Sequence, residues 1–273
     1  MQHIKTNKVI LLVIALLVIL ASLLGLLVPD FYANRNNTIT TFEIAGQDIV
    51  SLASGVLLLW LVLISKRAKI FQVIVAGLLV YTTYTYAYFA FGLIVSKIYV
   101  VYLAITGLSF FSIVSILIAL QDVDREGISR GRKSISVYLI IVVALVGIID
   151  CKDIIFKTIL SNGEMNTKGI FYVLDLAFLF PAMVITAVMN FKGRAIGVFF
   201  TGAFLIKTIA LMPALILSDI LHYANKGVFV DFSFDVIAFI VMISAIIFYC
   251  LYHKDMESTY RLTAVPRADR KRE

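Results

Sequence analysis

Apolar residues in this chain come in long blocks, and polar residues gather in the short gaps between them. The blocks run over about 8–28, 47–65, 70–95, 98–120, 134–150, 169–190, 195–217 and 231–252. Blocks of roughly 20 residues, at 1.5 Å per residue, match a hydrocarbon core about 30 Å thick. Backbone groups in lipid must be satisfied within their own segment, so each block predicts a helix. None shows the two-residue alternation of a barrel strand. The pattern therefore predicts an all-α, polytopic transmembrane helix bundle of about eight spans, one domain over 1–252 followed by a basic tail over 253–273. The gaps leave no room for a soluble domain.

Composition agrees: 61% of the 273 residues are hydrophobic, against roughly 45–50% in a soluble domain, and the mean hydropathy is +0.99. The first block follows the basic start "MQHIKTNK", as a signal peptide would. However, its apolar stretch exceeds the 7–15 residues of a typical signal core, and "LLVPDFY" offers no small-x-small cleavage site, so a retained helix is expected.

Charge sets the expected orientation. Seventeen of the 24 basic residues lie at the N-terminus, in "SKRAK", "QDVDREGISRGRK" and "FKGR", and in the tail. Six lie in the alternate gaps, and the last is Lys207. The positive-inside rule then places both termini on the cytoplasmic side. The net charge of +7 is thus a topology signal rather than a nucleic-acid signal. The expected partners are membrane lipids, including anionic headgroups near the tail, and a small-molecule or ion ligand. Oligomeric state is not legible.

Lys207 interrupts "TGAFLIKTIALMP". It lies 12 residues into its block, roughly 18 Å from the start and near the midplane. A lysine there costs about 2.5 kcal/mol or more on insertion scales and calls for a partner. Asp175, on the neighbouring block across the short turn "FKGR", is the expected one, about 6 Å different in height. Pro181 and Pro213 each follow a charged residue by six positions and free a backbone carbonyl. Tyr81, Tyr84 and Tyr88 in "YTTYTYAYFAFG" share one helical face, and Tyr86 points elsewhere. Tyr88 would pass as an interfacial belt residue, whereas Tyr81 and Tyr84 lie deeper and need hydroxyl partners. Asp48 and Asp235 open their blocks. Together Asp48, Tyr81, Tyr84, Asp175, Lys207 and Asp235 suggest a polar pocket open to the outside. The plainer alternatives stand beside it. The Asp–Lys pair would tie two helices, Asp48 and Asp235 would be water-facing residues at helix N-termini, and the tyrosines would be packing.

"QDIVSLASGVLLLWLVLISKRAKI" (47–70) and "LDLAFLFPAMVITAVMNFKGRAIG" (174–197) each carry an acid at the second position and end in a basic turn. Each follows a gap of similar length, just after Asp30 and Asp150. This pattern suggests two parallel four-helix repeats, a known transporter design.

Several chemistries find no support. There is no phosphate-binding loop, dinucleotide fingerprint, zincin motif, serine-nucleophile motif or C-x-x-C. No paired histidines within the blocks suit haem, so no cofactor or metal is expected. The three histidines read as surface residues, and Cys151 and Cys250 fall near opposite faces, too far apart to bridge. "NNT" at 36–38 fits a glycosylation acceptor.

"AGQDIVSL", "YTYAYFAFG" with "IYVVYLAITGLSFFSI", and "VLDLAFLFPAMVITAV" with "KGRAIGVFFTGAFLIK" resemble a family of uncharacterised prokaryotic multi-pass membrane proteins, over about residues 45–210. The resemblance implies an intact helical bundle in a plasma membrane, no assigned activity and no residue role.

The leading reading is a protein that binds or transports a small molecule or ion, with the enzyme question left open and weighted against. The alternatives are a non-catalytic sensor or assembly subunit signalling through 121–133 or the tail, and a lipid-modifying enzyme using Asp48 or Asp235.

Overall fold

A computed structural model describes residues 7–28, 31–32, 41–64, 69–92, 96–121, 130–160, 169–229 and 231–264. The 36–38 acceptor, Asp30, most of 121–133 and the tail beyond 264 lie outside the described residues. Among the described residues there is no strand, and eight helices are long and apolar enough to cross a membrane. They are α1 (Lys8–Leu27), α2 (Thr41–Ile64), α3 (Lys69–Phe91), α4 (Tyr99–Leu120), α5 (Arg130–Asp153), α6 (Gly169–Phe191), α7 (Ala195–Lys226) and α8 (Phe232–Ala264). The protein is an eight-helix, multi-pass membrane bundle. Eight crossings return the chain to the face it started from, so the other face can be called the far face.

The ends show where hydropathy stops being a guide. α7 continues well past the expected end at 217 because its last turns are polar yet still helical. Its 32 residues span about 48 Å, more than a hydrocarbon core needs. It stops at Gly227, whose left-handed backbone (φ 73°) closes the helix through an N–H bond to the Tyr223 carbonyl. α8 likewise runs to Ala264, so the first part of the expected tail is helical. α2 starts at Thr41, six residues before the expected 47. α5 passes its expected end at 150 and runs on through a π-helical turn, Ile154–Ile159. A second π turn, Asp175–Leu179, lies within α6.

Two helices sit at the centre. In α7, 72% of the membrane window is buried, and in α3 67%, against 17% for α8 and 22% for α5. α7 packs on α2, α3, α6 and α8, and α3 packs on α4 and α7. Small residues allow the close approach: a Cβ at Gly77 of α3 would overlap Ile206 and the Ala203 carbonyl of α7. The outward faces of the peripheral helices carry Leu, Ile, Val, Phe and Trp, such as Leu16, Trp60, Phe111, Ile148 and Ile240. Such surfaces suit lipid and would not suit water.

Some polar groups between helices are matched locally. Asn190 of α6 donates its Nδ2 to Ser136 Oγ of α5 at 2.9 Å. The Tyr138 hydroxyl of α5 reaches the Val241 carbonyl of α8 at 3.2 Å and Ser244 Oγ at 3.0 Å.

Candidate functional site

Lys207 projects from the middle of α7 and is only 3% exposed. Its ammonium lies 4.2 Å from the centroid of the Tyr84 ring, on α3. Stacking a cation on a desolvated aromatic face is worth about 2 kcal/mol, which offsets part of the cost of burying it. The Tyr84 hydroxyl is within hydrogen-bonding reach of the Asp175 carboxylate on α6, and Asp175 lies within electrostatic range of Lys207. Among the described residues no salt bridge joins Lys207 to Asp175. Tyr84 stands between them, ring to the cation and hydroxyl toward the anion.

The local chain explains the placement of Asp175. Pro181 has no N–H, so the helix cannot form its normal bond there. The turn before it widens: the N–H of Phe180 bonds back five residues to the Asp175 carbonyl. Such π turns occur frequently at functional sites. Asp175 opens this widened turn, and its Oδ1 is buried without a hydrogen-bond partner.

A further acid completes the group. Asp150, near the end of α5, is 7% exposed, and its Oδ2 is buried without a partner. It lies within electrostatic range of both Asp175 and Tyr84. Asp153, one turn on, accepts a hydrogen bond from the Tyr172 hydroxyl of α6 at 3.2 Å. Phe171 stacks on Tyr88 with centroids 3.9 Å apart and lies 6.2 Å from Tyr84, walling the site on one side. Tyr88 is therefore a buried ring at 5% exposure, not a belt residue, because α3 is a central helix.

Asp48 belongs to a different group. It is 1% exposed, and the Tyr32 hydroxyl donates to its Oδ2 at 2.7 Å. Burial first, and then the Asp48 charge, hold the Tyr32 phenol protonated far above its ordinary range. Tyr102 lies within reach of the Tyr32 hydroxyl, and Ser96 Oγ donates to the Tyr102 hydroxyl at 3.2 Å. A Cβ at Gly25 of α1 would overlap both Asp48 Oδ2 and the Tyr32 hydroxyl, so only glycine leaves room for this pair. Tyr81 joins this side of the bundle, bonded to Ser51 Oγ at 3.1 Å. Tyr86, pointing away from Tyr84, meets Ser22 Oγ of α1 at 3.3 Å.

Asp235 forms a third group at the far ends of α7 and α8. It lies in the first turn of α8, beside Asp219 and Asp231. Asp231 caps that helix, accepting from the Phe234 N–H at 3.1 Å, and its own N–H donates to Asp219 Oδ2 at 3.3 Å.

The six residues singled out from the sequence thus divide by their contacts. Asp175, Tyr84 and Lys207 come together, Asp48 and Tyr81 keep separate partners, and Asp235 lies with other acids. Sequence reasoning missed Asp150 and Tyr32. Asp150 was legible as an acid on the end of an apolar run, in "VGIID". Tyr32 sits in a gap, where nothing local announces a buried partner. Among the described residues no group of three His, Cys, Asp or Glu side chains is arranged to hold a metal ion. Both described cysteines are free and exposed.

In comparisons with known proteins, no family model, curated protein or solved structure matches the chain.

Proposed function

We propose that the protein binds, and carries across a plasma membrane, a small molecule or ion at the Lys207–Tyr84–Asp175 centre, reached from the far face. The observation that carries this reading is Lys207. A buried ammonium held over a ring, with an incompletely satisfied carboxylate nearby, costs stability that a purely structural tie would recover by direct contact. The centre also lies where α3, α6 and α7 meet, beside a widened turn of α6. Interrupted helices at a bundle centre are where transporters hold their ligands.

The packing supports two four-helix halves. α1 pairs with α2, α3 with α4, and α1 with α4. In the second half α5 pairs with α6, α7 with α8, and α5 with α8. The halves differ where they meet: α2 packs extensively on α7, whereas α6 meets α3 mainly through its first turns, Gly169–Leu174. On the proposed orientation the termini are cytoplasmic and the acidic centres open outward, in keeping with the basic gaps. The sequence resemblance fits a prokaryotic membrane protein and adds no residue role.

The test is flux in proteoliposomes, comparing wild type with Lys207→Met at equal incorporation. Uptake that needs Lys207 supports the proposal; equal uptake in both sinks it. A second reading, a sensor or assembly subunit, is favoured by one observation: α8 continues as helix to Ala264, past its membrane window at Lys254. Deleting 255–273 would abolish partner cross-linking on that reading and leave flux intact on the first.

A further inference from the structure

The acids around Lys207 outnumber it. Asp150 and Asp175 are near neighbours within the bundle, each with one carboxylate oxygen that is buried and has no hydrogen-bond partner. The groups facing them come from four elements, and Asp231, just before α8, lies within electrostatic range of Tyr172. α3 supplies Tyr84 and Tyr88, α5 adds Asp153, α6 adds Tyr172 and α7 supplies Lys207. Asp153 accepts a hydrogen bond from the Tyr172 hydroxyl, and among the described residues Lys207 is the one cation in this group. Lys207 is itself turned onto the Tyr84 ring rather than onto either carboxylate. With Lys207, Asp150 and Asp175 ionised, these three groups leave one uncompensated negative charge, to which an ionised Asp153 would add, in a medium of low dielectric where such a charge is costly. The two unpartnered oxygens point to where the compensation goes.

We propose that Asp150 and Asp175 together bind one monovalent cation, with Lys207 as the fixed internal charge that limits the site to a single positive ligand. This rests on the transport reading for its purpose but not for its chemistry. A proton, an alkali ion and a small organic ammonium share that chemistry. The rings of Tyr84, Tyr88 and Phe171 would suit the last.

The experiment uses the full chain in detergent at constant ionic strength, held with bulky N-methyl-D-glucamine chloride. The thermal midpoint is followed against NaCl, KCl and methylammonium chloride, and proton uptake is measured between about pH 8 and 5. Saturable stabilisation of wild type by one of the three salts identifies that cation. If none stabilises it, wild type takes up about one proton more than Asp150→Asn. In the first case Asp150→Asn raises the half-saturating concentration about tenfold or more, and Lys207→Met lowers it by a similar factor, because removing the internal cation deepens the charge deficit. The opposite signs separate a cation site from a structural network, in which both changes would weaken the response alike. If Asp150→Asn does not fold, the sign of the Lys207→Met effect still decides. The proposal is overturned if Asp150→Asn matches wild type in both salt response and proton uptake, or if Lys207→Met weakens the response. Cation binding without flux would sink the transport proposal alone. Flux without a cation response would sink this one alone.

Discussion

Asp48 and Asp175 each stand at the second position of the two similar stretches 47–70 and 174–197. Their surroundings differ in kind. Asp48 is sealed at 1% exposure, with Tyr32 on its Oδ2 and a glycine cleared to admit the pair. Asp175 is half-buried, opens a widened helical turn, and keeps one oxygen unpartnered near a second acid and a lysine. One acid is finished by its own chain; the other is left with unused bonding capacity. A buried charge with its hydrogen bonds made acts as structure, and one without them is a cost that a ligand can remove.

The strongest way to break the comparison is at Gly25. Gly25→Val places side-chain atoms on Asp48 and Tyr32, and should cost about 3 kcal/mol or more, seen as loss of monodisperse protein on gel filtration. Next comes a matched pair of hydroxyl deletions. Tyr32→Phe strips the Asp48 oxygen of its donor and should cost about 2 kcal/mol by thermal or denaturant unfolding in one detergent. Tyr84→Phe should cost about half that or less, because Asp175 is half-buried and already incompletely bonded. Equal costs would mean that the two aspartates play the same part.

A finer test is the cycle of Asp175→Asn, Lys207→Met and the double change, read by thermal unfolding. The double variant should be as stable as wild type or more so, since it removes two desolvated charges that do not touch. A double variant clearly less stable than wild type would return the pair to a structural role. The smallest effect is expected at Asp235. Asp235→Asn should shift stability by about 0.5 kcal/mol or less, because Asp231, not Asp235, caps α8.

These contrasts show how much of the site was legible. Lys207 announces itself, since no other charge interrupts its apolar run, and the short turn after α6 brings Asp175 beside it. The sequence grouped Asp48, Tyr81 and Asp235 with them and the structure separates them, because depth along a helix says nothing about which neighbour a face meets. Asp150 was legible as an acid ending an apolar run, but with α5 expected to end at 150 it read as a terminal residue; the helix continues to Asp153 and the acid is buried.

What the sequence determined by itself was the class of fold: all-α, eight spans, short connections. Bilayer thickness and backbone hydrogen bonding leave almost no other solution for blocks of this length. The same constraint is blind past the lipid, so the polar ends of α7 and α8 were read as loops although they are helical. Tertiary structure alone decided that α3 and α7 are central, that Tyr84 comes between Lys207 and Asp175, and that Tyr32 completes Asp48. Those outcomes depend on rotation of each helix about its axis and on close approach at particular glycines, neither of which a hydropathy pattern encodes.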